Sequence, residues 1–226
     1  MNPCPGGFTL LYADSALLVL DKPAGLLCVP GRGADKQDSL SARAQAVYAD
    51  ALIVHRLDMA TSGLVLMARG IDNQRRLSAA FAARQVHKCY LALVAGEMGT
   101  AAGAPSQAWS TIDLPIAPDW PNRPRQKVDH TCGKPSVTRW RLAPAAAFSH
   151  LTAQQATGVE LEPVTGRTHQ LRLHLAAIGH PILGDALYAP PAIAEAAARL
   201  MLHAVRLCFS HPVTGEDLQF DSSPTF

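Results

Sequence analysis

No stretch of these 226 residues stays apolar for long: the longest runs, such as Ala16-Leu17-Leu18-Val19-Leu20, fall well short of the roughly 20 residues a membrane-spanning helix needs. The N-terminus also lacks the basic segment and apolar core of a secretion signal, so a cytoplasmic protein with no membrane partner is expected. Cysteine is scarce. Cys4, Cys28, Cys89, Cys132 and Cys208 are odd in number, scattered and free of C-x-x-C spacing, which argues against a disulfide framework, a zinc ribbon or a redox pair and reads as free thiols. Neither G-x-x-x-x-G-K nor G-x-G-x-x-G occurs, which removes the usual nucleotide-cofactor cradles. Internal repeats are absent too.

A net charge of +2 is too small to announce a nucleic-acid partner, but its distribution is uneven. Residues 120 to 141 carry Arg123, Arg125, Lys127, Lys134, Arg139 and Arg141 against the single acid Asp129, whereas residues 142 to 226 sum to −3. Cations interleaved with Trp120 and Trp140 suit a phosphate backbone with exposed bases to stack. On charge alone, a solvated charged hairpin is an equally good reading.

With 48% hydrophobic residues the chain has enough apolar material for a core. Leu17 to Leu20 reads as a strand ending at the turn Asp21-Lys22-Pro23-Ala24-Gly25, followed by a second short run over Leu26 to Val29. Asp38 and Ser39 can cap a helix with Leu40, Ala44 and Val47 inward. A second helix is predicted over 72–85, with Leu77, Ala80 and Phe81 inward and Arg75, Arg76 and Arg84 outward. Residues 89–95, 137–142, 151–155, 159–161 and 201–209 read as strands, with a closing hairpin through Leu218 to Phe220. Helices are predicted from near Thr168, with Leu171, Leu175 and Ile178 on one face, and over 193–200. Strands outnumber helices without regular βα alternation, so the expected fold is mixed α+β, a largely antiparallel sheet with flanking helices.

The most telling stretch is His55-Arg56-Leu57-Asp58-Met59-Ala60-Thr61-Ser62-Gly63, a charged, loop-like segment between the apolar runs 52–54 and 64–67. A lone carboxylate there is either neutralised by a neighbour, with Arg56 and Arg167 the best candidates, or it does chemistry. His169, His174 and His180 have no acidic or cysteine partner at a recognised metal spacing, so no metal is expected and hydrogen bonding is their reading.

Three segments in this order resemble the RluA-type family of RNA pseudouridine synthases: Asp21-Lys22-Pro23-Ala24-Gly25-Leu26, the nine residues 55–63, and Gly166-Arg167-Thr168-His169-Gln170-Leu171-Arg172-Leu173-His174. Lys88-Cys89-Tyr90 looks like that family's K-x-Y element, and Gly179 to Asp185 with Tyr188 extends the likeness. The resemblance implies the pseudouridine synthase catalytic fold and a redox-neutral isomerisation of uridine that needs no cofactor. It also implies roles for individual residues: Asp58 as the catalytic carboxylate, Arg167 as its partner, Tyr90 as the stacking platform for a flipped base and Leu171 as an apolar pocket wall. Arg56 would enter the RNA where the base departed. From the basic tract, apart from the resemblance, Arg123, Arg125 and Lys127 are expected to contact phosphates. Many members carry an S4-like domain ahead of the core. Here the core begins within about the first ten residues, so a single catalytic domain over 1–226 without an S4-like domain is expected. Asp119-Trp120-Pro121-Asn122-Arg123-Pro124 looks like the compact branch acting on stem-loops of 23S rRNA and the tRNA anticodon arm. Nothing demands a partner chain, so a monomer is expected.

Two other functions compete. A non-catalytic RNA-binding or ribosome-assembly factor on the same fold is opposed by intact Asp58, Tyr90 and Arg167. Phosphoryl transfer, suggested by the superficial likeness of His55-Arg56-Leu57-Asp58 to H-R-D, is opposed by the extra leucine, the missing glycine-rich loop and the absence of Asp-Phe-Gly.

Overall fold

The computed structural model describes residues 8–99, 108–144, 156–224 and 226. These form two compact units: one holds the described residues through Lys88 and from His203 onward, the other Cys89–Leu202 with Phe226.

The first unit begins with β1 (Thr9–Ala13) and β2 (Leu17–Lys22), an antiparallel pair. Their turn is fixed by Asp14, whose carboxylate accepts the N–H groups of Ala16 and Leu17 at 2.7 and 2.8 Å. Leu17 through Leu20 are fully buried, which explains a continuous apolar run where a half-exposed strand would alternate. The run Leu26 to Val29 makes no strand; only Leu27 bridges Ser39. As its position suggested, Ser39 caps α1 (Leu40–Gln45), its hydroxyl accepting the Ala42 N–H. Val47, predicted inward, lies past the end of α1 and is 46% exposed, because the helix stops one turn earlier than its apolar spacing implied. Next come β3 (Ala51–Ile53), β4 (Ser62–Arg69) and α2 (Ile71–Ala82). From α2, Leu77 packs into a core with Leu17, Val19, Leu64 and Leu66, while Arg75, Arg76 and Arg84 face water.

In the second unit, β5 (His87–Ala95), β6 (Ser110–Asp113), β9 (Val137–Leu142) and β10 (Ala156–Pro163) form an antiparallel sheet in the order β6-β9-β10-β5. Beside it stands a separate hairpin of β7 (Ile116–Pro118) and β8 (Gln126–Val128). Along β9, Thr138 and Trp140 are buried and Arg139 and Arg141 point away, so Trp140, read as a stacking aromatic, is core at 8% exposure. The helix expected near Thr168 is α3 (Gln170–Ala177); Leu171 and Leu175 are buried, but Ile178 sits past its end at 37% exposure. The helix predicted over 193–200 is instead the single turn α4 (Pro191–Ala194). There the Ile193 carbonyl accepts from Gly184 N–H and Met201 N–H donates to Leu183, so tertiary bonds take the backbone that alanine-rich propensity would have kept helical. The predicted strand at 151–155 lies outside the described residues.

The chain then returns to the first unit through β11 (Leu202–Ser210) and β12 (Asp217–Asp221), an antiparallel hairpin. β2 runs along one edge of β4, and the other edge is shared by β3 at its C-terminal half and β11, in parallel, at Ser62 and Gly63. Loop 54–61 therefore emerges beside the start of β11. Gly63 is where the two backbones meet: at φ +109° a Cβ would lie 2.6 Å from the Ala204 nitrogen. The fold is α+β with mostly antiparallel pairing.

Candidate active site

Loop 54–61 is held from several directions, all within the first unit. Leu66 N–H donates to His55 Nε2 at 2.9 Å, and the imidazole stacks on Phe81 with centroids 4.6 Å apart. Burial, aided by the Lys88 charge, pushes the His55 pKa down to about 3, so the ring stays neutral and keeps the lone pair that this bond requires. Two residues on, Leu57 is buried and its N–H donates to Cys28 Sγ at 3.2 Å. Arg56 is exposed and Asp58 partly so; burial alternates, presenting these two side chains outward while His55 and Leu57 hold the backbone. Thr61 N–H to the Asp58 carbonyl, at 3.1 Å, closes the turn that follows.

Beneath this turn lies a fully buried cation that sequence reading had placed only in a turn motif. Lys22 Nζ donates to the carbonyls of Pro23 and Leu26 at 2.8 Å and of Met59 at 3.1 Å. Burial lowers its pKa to about 8, against the opposing influence of Cys28, Asp58 and Asp21. Met59 also accepts the Gly25 N–H at 2.9 Å, so the Asp21–Leu26 motif and the aspartate loop form one hydrogen-bonded body. Burial in turn raises the Cys28 pKa, which keeps it a thiol.

At the other end of the loop a relay runs through His203. Ser222 Oγ donates to Asp21 Oδ2, so its oxygen can accept from His203 Nε2 at 3.0 Å; His203 Nδ1 then accepts a hydrogen bond from the Ser62 hydroxyl at 2.8 Å. Ser62 and His203 are 4% and 1% exposed, so each polar atom in this chain needs its neighbour. Neither His203 nor Ser222 was singled out from sequence; their partners lie 141 and 201 residues away.

The second unit carries Tyr90, Arg167 and Leu171, together with Arg123, Arg125 and Lys127. Tyr90 sits on β5 opposite Leu161, and Tyr90 and Leu171 are 8% and 7% exposed. Arg167 is displayed on a tight, exposed loop shaped by Gln170, whose side-chain oxygen accepts from the Thr165 hydroxyl at 2.7 Å and the Arg167 N–H at 3.0 Å. The Gln170 amide group in turn donates to the Val137 carbonyl and to Thr138 Oγ1, both at 3.0 Å. His169 enters α3 in the left-handed region at φ 55°, a strained conformation for a residue with a Cβ, and its Nδ1 lies 2.8 Å from Tyr188 Oη. Buried Arg172 grips Asp185 with two bonds of 2.6 and 2.8 Å, and Asp185 also accepts from the N–H of Tyr188. Hydrogen bonding is also the role of His174, between Thr138 Oγ1 and the Leu114 carbonyl, and of His180, to the Ala95 carbonyl. Among the described residues no three His, Cys, Asp or Glu side chains cluster for a metal.

The basic tract is less free than its sequence suggested. Arg139 and Arg141 pair with Glu162 and Glu160 and clasp Trp109, while Lys127 pairs with Asp129 at 3.0 Å. Arg123 and Arg125 remain exposed.

A comparison with known proteins decides the family. The family model described as RNA pseudouridylate synthase matches residues 16–177. The chain belongs to this family. It is 44% identical over 217 residues to the dual-specificity RNA pseudouridine synthase RluA of Escherichia coli (strain K12), covering 96% of this chain and 93% of that protein. To the protein of the same name from Salmonella typhi it is 45% identical over 211 residues, covering 93% and 90%. Among solved structures, human RNA pseudouridylate synthase domain containing 1 superposes with a TM-score of 0.77 at 26% identity, over 100% of this chain and 87% of that one. The synthase is thus an isomerase acting on RNA. None of its described helices is long and apolar enough to cross a membrane.

Proposed function

We propose that Asp58 is the catalytic carboxylate of this synthase, that Arg167 pairs with it, and that Tyr90 and Leu171 wall a pocket for an everted uracil. The observation that carries this reading is the mounting of the aspartate loop: His55, Leu57, Met59 and Ser62 are all tied down on either side of the partly exposed Asp58. A group that must meet a reacting atom repeatedly in one geometry needs that rigidity.

Pseudouridine formation breaks the bond from ribose C1′ to uracil N1 and rejoins the base through C5. Swinging the nucleotide out of its stack costs about a few kcal/mol, which stacking on Tyr90 and contact with Leu171 offset. Arginine suits the Arg167 role because it stays charged and binds a carboxylate bidentately, stabilising a negative charge held away from bulk water. Arg56, exposed two residues before Asp58, enters the RNA stack where the base has left. Arg123 and Arg125 contact phosphates. Lys127 does so more weakly, since it must first leave Asp129.

The substrates of this reading are stem-loops of 23S rRNA and of the tRNA anticodon arm. The Asp119-Trp120-Pro121-Asn122-Arg123-Pro124 stretch and the dual-specificity names of the relatives support it. The family match crosses both units, which supports one catalytic domain; it works in the cytoplasm as a monomer, without cofactor or metal. The test is release of tritium from base-labelled transcripts, since attachment at C5 expels the label. Wild type is expected to release it and Asp58→Ala to release none; full activity in that variant would remove Asp58 from the chemistry. Mapping pseudouridines in total RNA with and without the protein tests the substrates, and loss at a ribosomal site alone would defeat dual specificity.

A further inference from the structure

We propose that the tip of the β7–β8 hairpin is a second RNA contact, a platform on which the Trp120 indole stacks an unpaired base of the same loop that presents the target uridine. This rests on the substrate class proposed above. Trp120 is 64% exposed, the most exposed of the large hydrophobic side chains among the described residues, whereas Trp140 is buried and Trp109 is clasped by two arginines. The Arg123 guanidinium lies 3.6 Å from the Trp120 ring centroid and covers one face. With that face covered and most of the residue still in contact with solvent, the opposite face is open. An arginine–indole pair with a bare face is the half-built form of the stack that binds single-stranded RNA, completed by a nucleobase.

The tip is rigid before any base arrives. Asp119 N–H bonds the Arg125 carbonyl at 3.0 Å, Asn122 N–H the Asp119 carbonyl at 3.1 Å, and Arg125 N–H the Asn122 carbonyl at 3.0 Å. Asn122 Nδ2 adds a bond to Asp119 Oδ2 at 3.0 Å, and Pro121 and Pro124 fix two backbone torsions. The hairpin is also tied to the arginine loop: Gln126 N–H donates to Tyr188 Oη at 2.8 Å, and the same hydroxyl lies 2.8 Å from His169 Nδ1, two residues beyond Arg167. A base held on Trp120 is thereby kept at a fixed distance from the Arg167 loop.

Charge selects the occupant. The strand arginines of the basic tract are committed to Glu160 and Glu162, and Lys127 to Asp129; among the described residues Arg123, Arg125 and Lys134 stay exposed without such a pair, and Arg123 is the one that lies on the indole. A partner that offers an aromatic face with an attached phosphate meets the indole and the Arg123 guanidinium at once. A protein partner would have to supply acidic groups in the same geometry and would compete with RNA.

The decisive variant is Trp120→Leu, compared with Trp120→Phe. Since Trp120 is exposed, both are expected to melt with wild type. Loss of one base–aromatic stack raises the KM of Trp120→Leu for a stem-loop transcript by about 5- to 150-fold with kcat within about twofold, and Trp120→Phe restores most of it. In an Asp58→Ala, Trp109→Phe, Trp140→Phe background the remaining Trp120 emission is expected to be quenched by the stem-loop and left unchanged by a fully paired duplex of equal length. Unchanged KM in Trp120→Leu would overturn the platform, as would RNA binding without quenching, or RNA failing to compete with a protein captured at this tip. Wild-type turnover in the same assay separates the outcomes: if wild type isomerises the transcript and Trp120→Leu keeps its KM, the platform alone fails. If wild type leaves the transcript untouched, the proposed substrate class fails.

Discussion

Replacing Lys22 by methionine keeps the length and apolar stem of the side chain and deletes only a buried ammonium group. Three carbonyls, those of Pro23, Leu26 and Met59, lose a charged donor at 2.8 to 3.1 Å, while Met59 keeps a second one, from Gly25. Hydrogen bonds to a charged group contribute about 1.5–3 kcal/mol each, so the gross loss is on the order of 6 kcal/mol. Against this stands the desolvation that brings the Lys22 pKa from 10.5 to about 8, worth roughly 3 kcal/mol at 1.36 kcal/mol per unit. The net cost is about 3 kcal/mol, and at ~2–4 °C per kcal/mol for a chain of this size the melting temperature falls by roughly 6–12 °C. The pH dependence gives a sharper signature. Between pH 8 and 10.5 the folded chain binds fewer protons at Lys22 than the unfolded chain does, so this residue makes stability rise with pH across that window by up to about 3 kcal/mol. On the role proposed for Asp58, activity is expected to fall across the same window, because deprotonation removes a positive charge near it. Circular dichroism melts and tritium release from pH 7 to 10.5, wild type minus Lys22→Met, isolate the effect from Cys28 and Lys88. Parallel stability curves for the two proteins across that range would refute the reasoning.

Acid acts on a different residue. The folded pKa of His55, about 3, lies below its ordinary 6.5, so its contribution is complete above 6.5 and is lost as pH falls toward 3. His55→Gln, able to accept the Leu66 N–H but not to titrate, is expected to show a flatter urea midpoint against pH, and an equal slope would count against the assignment. Gly63→Ala forces a Cβ against the Ala204 backbone at positive φ and is expected to destabilise by about 3 kcal/mol or more in urea unfolding; a neutral substitution would contradict the close β4–β11 approach. Asp185→Ala strands buried Arg172 at a cost of about 3–5 kcal/mol, and Arg172→Met with Asp185→Leu recovers part of it. An Asp185→Ala protein within 1 kcal/mol of wild type would show the pair to be dispensable.

The motifs made the chemistry readable because each packs its chemistry into a few consecutive residues, as in residues 55–63 and 166–174. Strands β2, β4 and β5 were readable because burial on both faces leaves long apolar runs. Short strands were not: Ile116–Pro118 and Gln126–Val128 have three residues each and no period to detect. Trp140 was misjudged although its place in the alternation of β9 told which face it took. Lys22 looked like a turn residue because nothing local announces that a lysine will be fully buried. The alanine-rich stretch after Ile193 looked helical until bonds with Leu183 and Gly184 claimed the backbone at its two ends.

His203 follows Ser62 by 141 residues, and Ser222 comes later still. At about 5–20 residues per second a ribosome takes roughly 7 to 30 s to travel from one to the other. During that interval the nascent chain has its aspartate but no brace behind it, since β11 and the segment after β12 are not yet made. The loop that carries Asp58 is encoded early, yet the Ser62 end of that loop gains its His203 brace only when the chain is nearly complete.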